Sequence, residues 1–172
     1  MVQSIQLNTL DKNTAVFIGQ YNVSLAKIWQ AISTDEGLAK WFMKSKMDVE
    51  VGGVFQFEGG WEGWIAALKE LEYIQFNSSE VSYTRFELRP TTVGVELRLV
   101  DKLPPAIEAQ GDSDIQNFQP NGKGTHWVGL LAGWHDFLLA LESYLAKKEI
   151  ADNYKELCDV YKDLLDKQRQ KI

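Results

Sequence analysis

The two histidines are the residues of this sequence best suited to acid–base or metal chemistry, and they stand at positions 126 and 135. Nine residues of a straight helix turn the chain so that these side chains point about 180° apart. His126 and His135 therefore cannot bind one metal ion together, and no Cys-x-x-Cys or His-Glu-x-x-His pattern is present. His126 follows a long loop and could reach a pocket mouth, whereas a lone helical His135 is expected to be exposed or a hydrogen-bonded core residue.

Other reactive residue types occur without the partners that catalysis needs. Cys158 has no histidine near it in sequence, and no Gly-x-Ser-x-Gly motif supplies a nucleophilic serine. The pairs Gly52-Gly53 and Gly59-Gly60 precede strand-like segments, whereas phosphate-binding loops precede helices, so both pairs are interpreted as turns. Glu58 and Glu62 flank the second pair and are expected to be solvated. We assign no catalytic residue, no metal ligand and no cofactor, and the sequence leans away from an enzyme.

Composition restricts the possible functions further. The 172 residues correspond to about one domain, and the net charge of −6 argues against general nucleic-acid binding. No run of about 18 apolar residues is present, and the first twelve residues lack an apolar signal-peptide core, so a cytoplasmic protein is expected. The aromatic content is high, with 8 Phe, 6 Tyr and 6 Trp. These large side chains must either fill a core or line a cavity.

The elements that would position these residues follow from hydrophobic periodicity. Leu25–Ile32 repeats apolar residues at helical spacing after the capping residues Asn22 and Ser24, and Ser33–Glu36 starts a second short helix. Turn residues separate the remaining alternating segments every 8 to 12 residues, which predicts antiparallel hairpins. The predicted strands are Thr14–Tyr21, Met47–Val51, Val54–Glu58, Trp61–Leu71, Tyr73–Phe76, Val81–Arg89 and Val93–Val100.

The C-terminal third combines a long loop with two helices. Leu103–Gly124 is an irregular connection, either a functional lid or a plain surface crossover. Thr125–Ala146 repeats apolar residues every three or four positions and is predicted to be a core helix. The charged tail has a second apolar stripe and is expected to pack on the domain or on a second copy. We therefore divide the chain into a domain of residues 1–146 and a helical extension of residues 147–172.

The order of these elements, and several local motifs, resemble the START-like or SRPBCC superfamily, and specifically the branch named for the activator of Hsp90 ATPase. The resemblance covers roughly residues 14 to 146. The segments that carry it are VSLAKIWQAISTDEGLAKWF (Val23–Phe42), VGGVFQFEGGWEGWI (Val51–Ile65), YTRFELRPTTVGVELRLVD (Tyr83–Asp101) and GWHDFLLALESYL (Gly133–Leu145).

The resemblance implies an α+β helix-grip fold, as in START and Bet v 1 domains. A curved antiparallel sheet of about six or seven strands would wrap around the long C-terminal helix, with two short helices after the first strand. In many relatives the space between sheet and helix takes an apolar or amphipathic small molecule. The residues we expect to line that space are Phe55, Phe57, Phe86, Leu88, Leu97, Leu99, Trp127, Leu131, Trp134 and Leu138.

Three functions remain open on this basis. The first is non-enzymatic binding of a hydrophobic small molecule in that cavity. The second is a protein-interaction module with a co-chaperone or stress-response role, for which a chaperone would be the partner. The third is a cyclase-like or hydrolase-like enzyme acting in the cavity, which requires that His126, Tyr83, Glu62 or Asp136 face the pocket with a polar partner. Separately from these functions, the tail stripe and any exposed aromatic residues are candidate surfaces for a homodimer.

Overall fold

The computed structural model describes residues 4–11, 13–103 and 126–169. The long connection predicted at Leu103–Gly124 therefore lies outside the described residues from position 104 onward. The strands are β1 (Ile5–Leu10), β2 (Thr14–Tyr21), β3 (Ser45–Met47), β4 (Val54–Phe57), β5 (Glu62–Lys69), β6 (Tyr73–Asn77), β7 (Tyr83–Thr91) and β8 (Gly94–Lys102). The helices are α1 (Leu25–Ser33), α2 (Asp35–Trp41), α3 (His126–Leu145) and α4 (Tyr154–Arg169).

The strands form one antiparallel sheet in the order β1-β2-β8-β7-β6-β5-β4-β3, and the α+β helix-grip fold is confirmed. The sheet has eight strands rather than six or seven, because β1 pairs with β2 at one edge. Only Ile5 of β1 is buried, and the rest of the strand is exposed or half-buried. Because an edge strand of this kind has so few buried positions, it lacks the clean alternation by which strands are recognised in a sequence.

The central strands β7 and β8 show how the sheet buries one face. Phe86 pairs with Leu99 and Leu88 with Leu97, and all four side chains are buried. On the opposite face Arg85 donates to Glu87 across 2.7 Å at partly exposed positions. This division follows from the two-residue period of a strand, which places alternate side chains on opposite faces.

The short helices begin where capping residues were expected. The Ser24 hydroxyl accepts from the Lys27 amide at the start of α1, and the Thr34 hydroxyl accepts from the Gly37 amide at the start of α2. The strand predicted at Met47–Val51 instead ends at Met47, because residues 48–53 form a turn in which the Gly53 amide donates to the Glu50 carbonyl.

Helix α3 packs on the sheet through Leu131, Leu138, Leu141 and Leu145, which are all buried. The chain then breaks at Lys147, whose φ is +56°, before α4 begins. Buried Tyr161 and Leu165 belong to the same hydrophobic core, so α4 packs on this domain. Among the described helices, none has the length and apolar character required to span a bilayer.

Candidate ligand-binding cavity

A cavity of about 710 Å³ lies between α3 and one end of the sheet. Its wall comes from the residues just after α2, the connections before β5 and between β6 and β7, the start of β7, the end of β8, the N-terminal part of α3, and the start of α4 with the residues before it. The residues in the wall are Phe42, Met43, Trp61, Ser78, Ser82, Tyr83, Thr84, Asp101, Lys102, Leu103, Gly129, Leu130, Gly133, Trp134, Asp136, Phe137, Asp152 and Tyr154.

An aromatic cluster forms the apolar part of this wall. Phe42 stacks on Trp134 with ring centroids 5.4 Å apart and planes 9° apart, and it meets Phe137 edge-on at 4.5 Å. Trp134 and Phe137 share a face of α3 because they are three residues apart. Trp61 lies 6.1 Å from Phe42, and its indole Nε1 donates to the Ser78 hydroxyl across 2.8 Å. The cluster offers flat ring faces to an apolar guest, since such rings favour stacked and edge-on contacts.

The polar centre of the wall is the carboxylate of Asp101. Thr84 is its cross-strand partner in the β7–β8 ladder, and the Thr84 hydroxyl donates to Asp101 Oδ1 across 2.8 Å. From the facing helix, Trp134 Nε1 donates to Asp101 Oδ2 across 2.9 Å. Burial raises the pKa of Asp101 above its ordinary value, and the two hydrogen bonds offset part of that rise.

Further charged groups lie around the same cavity. Asp136 Oδ1 accepts from the Asn153 amide across 2.9 Å, and Asp152 Oδ1 accepts from the Tyr154 amide across 3.1 Å. These bonds tie the α3–α4 connection to the cavity wall. Lys102 Nζ lies 5.8 Å from the centroid of the Tyr83 ring.

The opposite side of α3 carries a separate polar contact. His135 Nδ1 and the Tyr161 hydroxyl of α4 lie 2.7 Å apart in a hydrogen bond, and Phe17 meets both rings edge-on. Burial lowers the pKa of His135, while the charge of Asp136 opposes that shift. This contact fastens α4 to the domain and lies outside the cavity wall.

Of the ten residues expected to line the cavity, one contributes to its wall and nine do not. Trp134 lies in the wall. The other nine are in the hydrophobic core or packed against it and do not contribute to the cavity wall, because their side chains fill the interior of the domain. These nine are Phe55, Phe57, Phe86, Leu88, Leu97, Leu99, Trp127, Leu131 and Leu138.

The four residues considered for chemistry also differ in whether they lie in the cavity wall. Tyr83 and Asp136 face the cavity, and Asp136 has a backbone donor as its partner. Glu62 is exposed outside the wall, and the side chain of His126 lies outside the described part of the chain. Among the described residues, no group of three or more His, Cys, Asp or Glu could hold a metal ion.

Asp101 is the functional candidate that the sequence analysis missed, although a signal for it was present. The inward face of β8 runs through Val95, Leu97 and Leu99, and the same two-residue step arrives at Asp101. The neighbouring strand places Thr84 on its inward face in the same way. An acidic residue at the end of an otherwise apolar strand face therefore marks a buried polar position.

Solved structures with this architecture come from several bacteria. Protein EF2215 of Enterococcus faecalis is 17% identical, with 92% of this chain and 88% of that one aligned at a TM-score of 0.65. CalU16 of Micromonospora echinospora is 16% identical, with 88% of each chain aligned at 0.64. CV1439 of Chromobacterium violaceum is 20% identical, with 78% of this chain and 98% of that one aligned at 0.56. At these identities the likeness concerns the fold.

Sequence similarity identifies the family of the chain, whereas the structures above show only its fold. No curated protein matches the chain. Residues 22–146, which are most of the chain, match the family described as activator of Hsp90 ATPase homolog 1-like protein. The match covers both short helices, the sheet from β3 to β8, and all of α3, which supply most of the cavity wall. The chain therefore belongs to the activator of Hsp90 ATPase homolog 1-like family, within the START-like/SRPBCC superfamily.

Proposed function

We propose that this protein binds a hydrophobic or amphipathic small molecule in the cavity between the sheet and α3, without transforming it. The observation that carries the proposal is the cavity itself. Its volume of about 710 Å³ falls within the range of roughly 300 to 1,000 Å³ that is usual for small-molecule sites. Its wall combines an aromatic cluster with a few polar groups, which is the usual composition of such sites.

The aromatic cluster supports binding because its members are held in place by contacts with other residues of the protein. Trp61 stacks on buried Phe57 with ring centroids 4.6 Å apart, and its indole nitrogen is occupied by Ser78. Trp134 is anchored by its hydrogen bond to Asp101. Rings that are already ordered lose little side-chain entropy when a ligand binds. A larger part of the free energy of apolar contact therefore contributes to affinity.

Gly133 provides a direct test, because it lies in the cavity wall at the middle of α3 and a Cβ atom built there meets nothing within 4 Å. Gly133→Phe should place a ring in the cavity while the helix stays intact. With the neutral fluorescent dye N-phenyl-1-naphthylamine, we expect saturable binding to the native chain and at least about tenfold weaker binding to Gly133→Phe, the equivalent of about 1.4 kcal/mol.

Leu139→Phe is the matched control, since Leu139 is a half-buried residue of the same helix outside the cavity wall. It should bind the dye as the native chain does. Absence of saturable dye binding to the native chain, or equal binding by Gly133→Phe, would contradict the proposal.

A cavity enzyme is the alternative that one observation favours, because Asp101 is a buried carboxyl group with a raised pKa in the wall. Both of its oxygens, however, accept hydrogen bonds from Thr84 and Trp134, which orient the group. Binding without reaction predicts that the ligand has the same mass after its release from the protein as before it was bound. Mass spectrometry of the extracted ligand distinguishes the two functions.

A further inference from the structure

We propose that the ligand of this cavity carries a protonated amine next to its apolar body, and that Asp101 binds this amine. The inference rests on the proposed binding function and specifies the chemical class of the ligand.

The first support is the position of the Asp101 carboxylate. The residue is 6% exposed and contributes to the cavity wall. Thr84 and Trp134 each donate one hydrogen bond, one to each oxygen. A carboxylate has about four lone-pair sites, so each oxygen retains acceptor capacity. The N–H groups of an ammonium ion can donate hydrogen bonds to these remaining acceptor sites.

The second support is that no described residue supplies a counter-charge to the carboxylate. Within the described ranges, none of the Lys and Arg ion pairs involves Asp101. A buried charge without an opposite charge is costly, and a buried carboxylate is normally paired. A cation that enters the cavity would supply the missing charge and would gain a charge-assisted hydrogen bond.

The third support is the charge of the remaining wall. Asp136 and Asp152 add two carboxylates, and Lys102 is the single basic residue of the wall within the described chain. The Lys102 ammonium is directed to the Tyr83 ring. The electrostatic potential of the cavity therefore favours a cation and disfavours an anionic headgroup, since like charges repel.

A purely structural role for Asp101 predicts a different selectivity. A carboxylate that only ties β8 to α3 through Trp134 would give the amine of a ligand no favourable partner. An amine would then bind less well than an alcohol of the same shape, because the amine loses more hydration on entering an apolar space. The preference between the two headgroups thus separates an anchoring role from a structural one.

The experiment uses the full chain, with N-phenyl-1-naphthylamine as the neutral reporter and three competitors that share one naphthalene ring. These are 1-naphthylmethylamine, 1-naphthylmethanol and 1-naphthoic acid. At pH 7.5 we expect the amine to displace the dye at a concentration about tenfold or more below that of the alcohol, and the acid to be the weakest. In Asp101→Asn this advantage of the amine should fall to within about twofold, because a charge-assisted hydrogen bond is lost.

Glu96→Gln is the matched control, because Glu96 lies on the same strand and on the opposite face of the sheet. It should keep the amine preference. If Asp101→Asn does not fold, the pH dependence of the native chain is the second measurement. The advantage of the amine over the alcohol should shrink as the pH falls through the pKa of Asp101, which burial raises.

The outcomes separate the two proposals. If the dye binds the native chain but the amine has no advantage over the alcohol, or if the advantage survives in Asp101→Asn, the assignment of Asp101 is overturned while the binding function stands. A pH-independent advantage would overturn it as well. If the dye does not bind at all, the proposed function itself fails.

Discussion

Asp101 joins three parts of the molecule at one buried carboxyl group. It belongs to β8, it accepts a hydrogen bond from Thr84 of β7, and it accepts another from Trp134 of α3. These bonds stabilise the ionised form, but burial destabilises it more, and the pKa of Asp101 is therefore raised. Asp101 thus orients Trp134 in the cavity wall, and its ionisation destabilises the folded state.

The raised pKa of Asp101 predicts a specific pH dependence of stability. Between the ordinary pKa of 3.8 and the raised pKa of Asp101, the unfolded chain has lost this proton while the folded chain still retains it. The free energy of unfolding therefore falls as pH rises between these two pKa values. Urea unfolding of the native chain and Asp101→Asn between pH 4 and pH 8 checks this. The native chain should lose stability relative to the variant as pH rises, and a constant difference would contradict the prediction.

Glycines within the elements have opposite roles, depending on what surrounds their Cα atoms. Gly133 of α3 faces open space in the cavity. A Cβ atom on Gly63 of β5 would lie only 1.9 Å from the carbonyl oxygen of Asn77. Gly63 therefore permits two strands to approach, whereas Gly133 only leaves the cavity wide and costs the helix stability.

These surroundings predict opposite effects for the same substitution. Gly133→Ala should raise the free energy of unfolding by about 0.5–1 kcal/mol, because alanine favours the helix and meets no neighbour. Gly63→Ala should lower it, because the strand pair must shift to admit a methyl group. Thermal or urea unfolding of both variants measures the signs, and a loss of stability in Gly133→Ala would show that its surroundings are filled.

At the scale of the whole molecule, the hydrophobic core extends from the sheet through α3 to α4. Tyr161 and Leu165 of α4 are buried in this core, and the Tyr161 hydroxyl is bound to His135. Helix α4 also begins at Tyr154 in the cavity wall. We propose that residues 147–169 of the C-terminal extension act as an integral layer of the fold that closes one side of the cavity.

Neighbouring leucines of α4 test this packing. Leu165 is 8% exposed and Leu164 is 36% exposed. Leu165→Ala should destabilise the chain by about 2–3 kcal/mol through lost burial and a residual void. Leu164→Ala should cost less than about 1 kcal/mol, since it is already half in water. Equal effects in urea unfolding would mean that α4 does not pack on the domain in solution.

Most of the fold could be predicted because it is recorded in short-range patterns. Ser24 and Thr34 mark the starts of two helices through their own hydroxyl groups. Alternation along β7 and β8 identifies the buried face of the sheet. Strand β1 escaped prediction because its pairing, rather than its own apolar pattern, makes it a strand.

The sequence by itself determined which faces of the strands and helices are apolar, because side-chain direction repeats every 2 residues in a strand and every 3.6 in a helix. Only the tertiary structure decided where the apolar faces meet and where they part. Phe86 and Leu99 fill the core, and a space remains beside Phe42 and Trp134. Such a space depends on the curvature of the sheet and on contacts between distant residues, as in the bond from Trp134 to Asp101, and no local pattern encodes these distances.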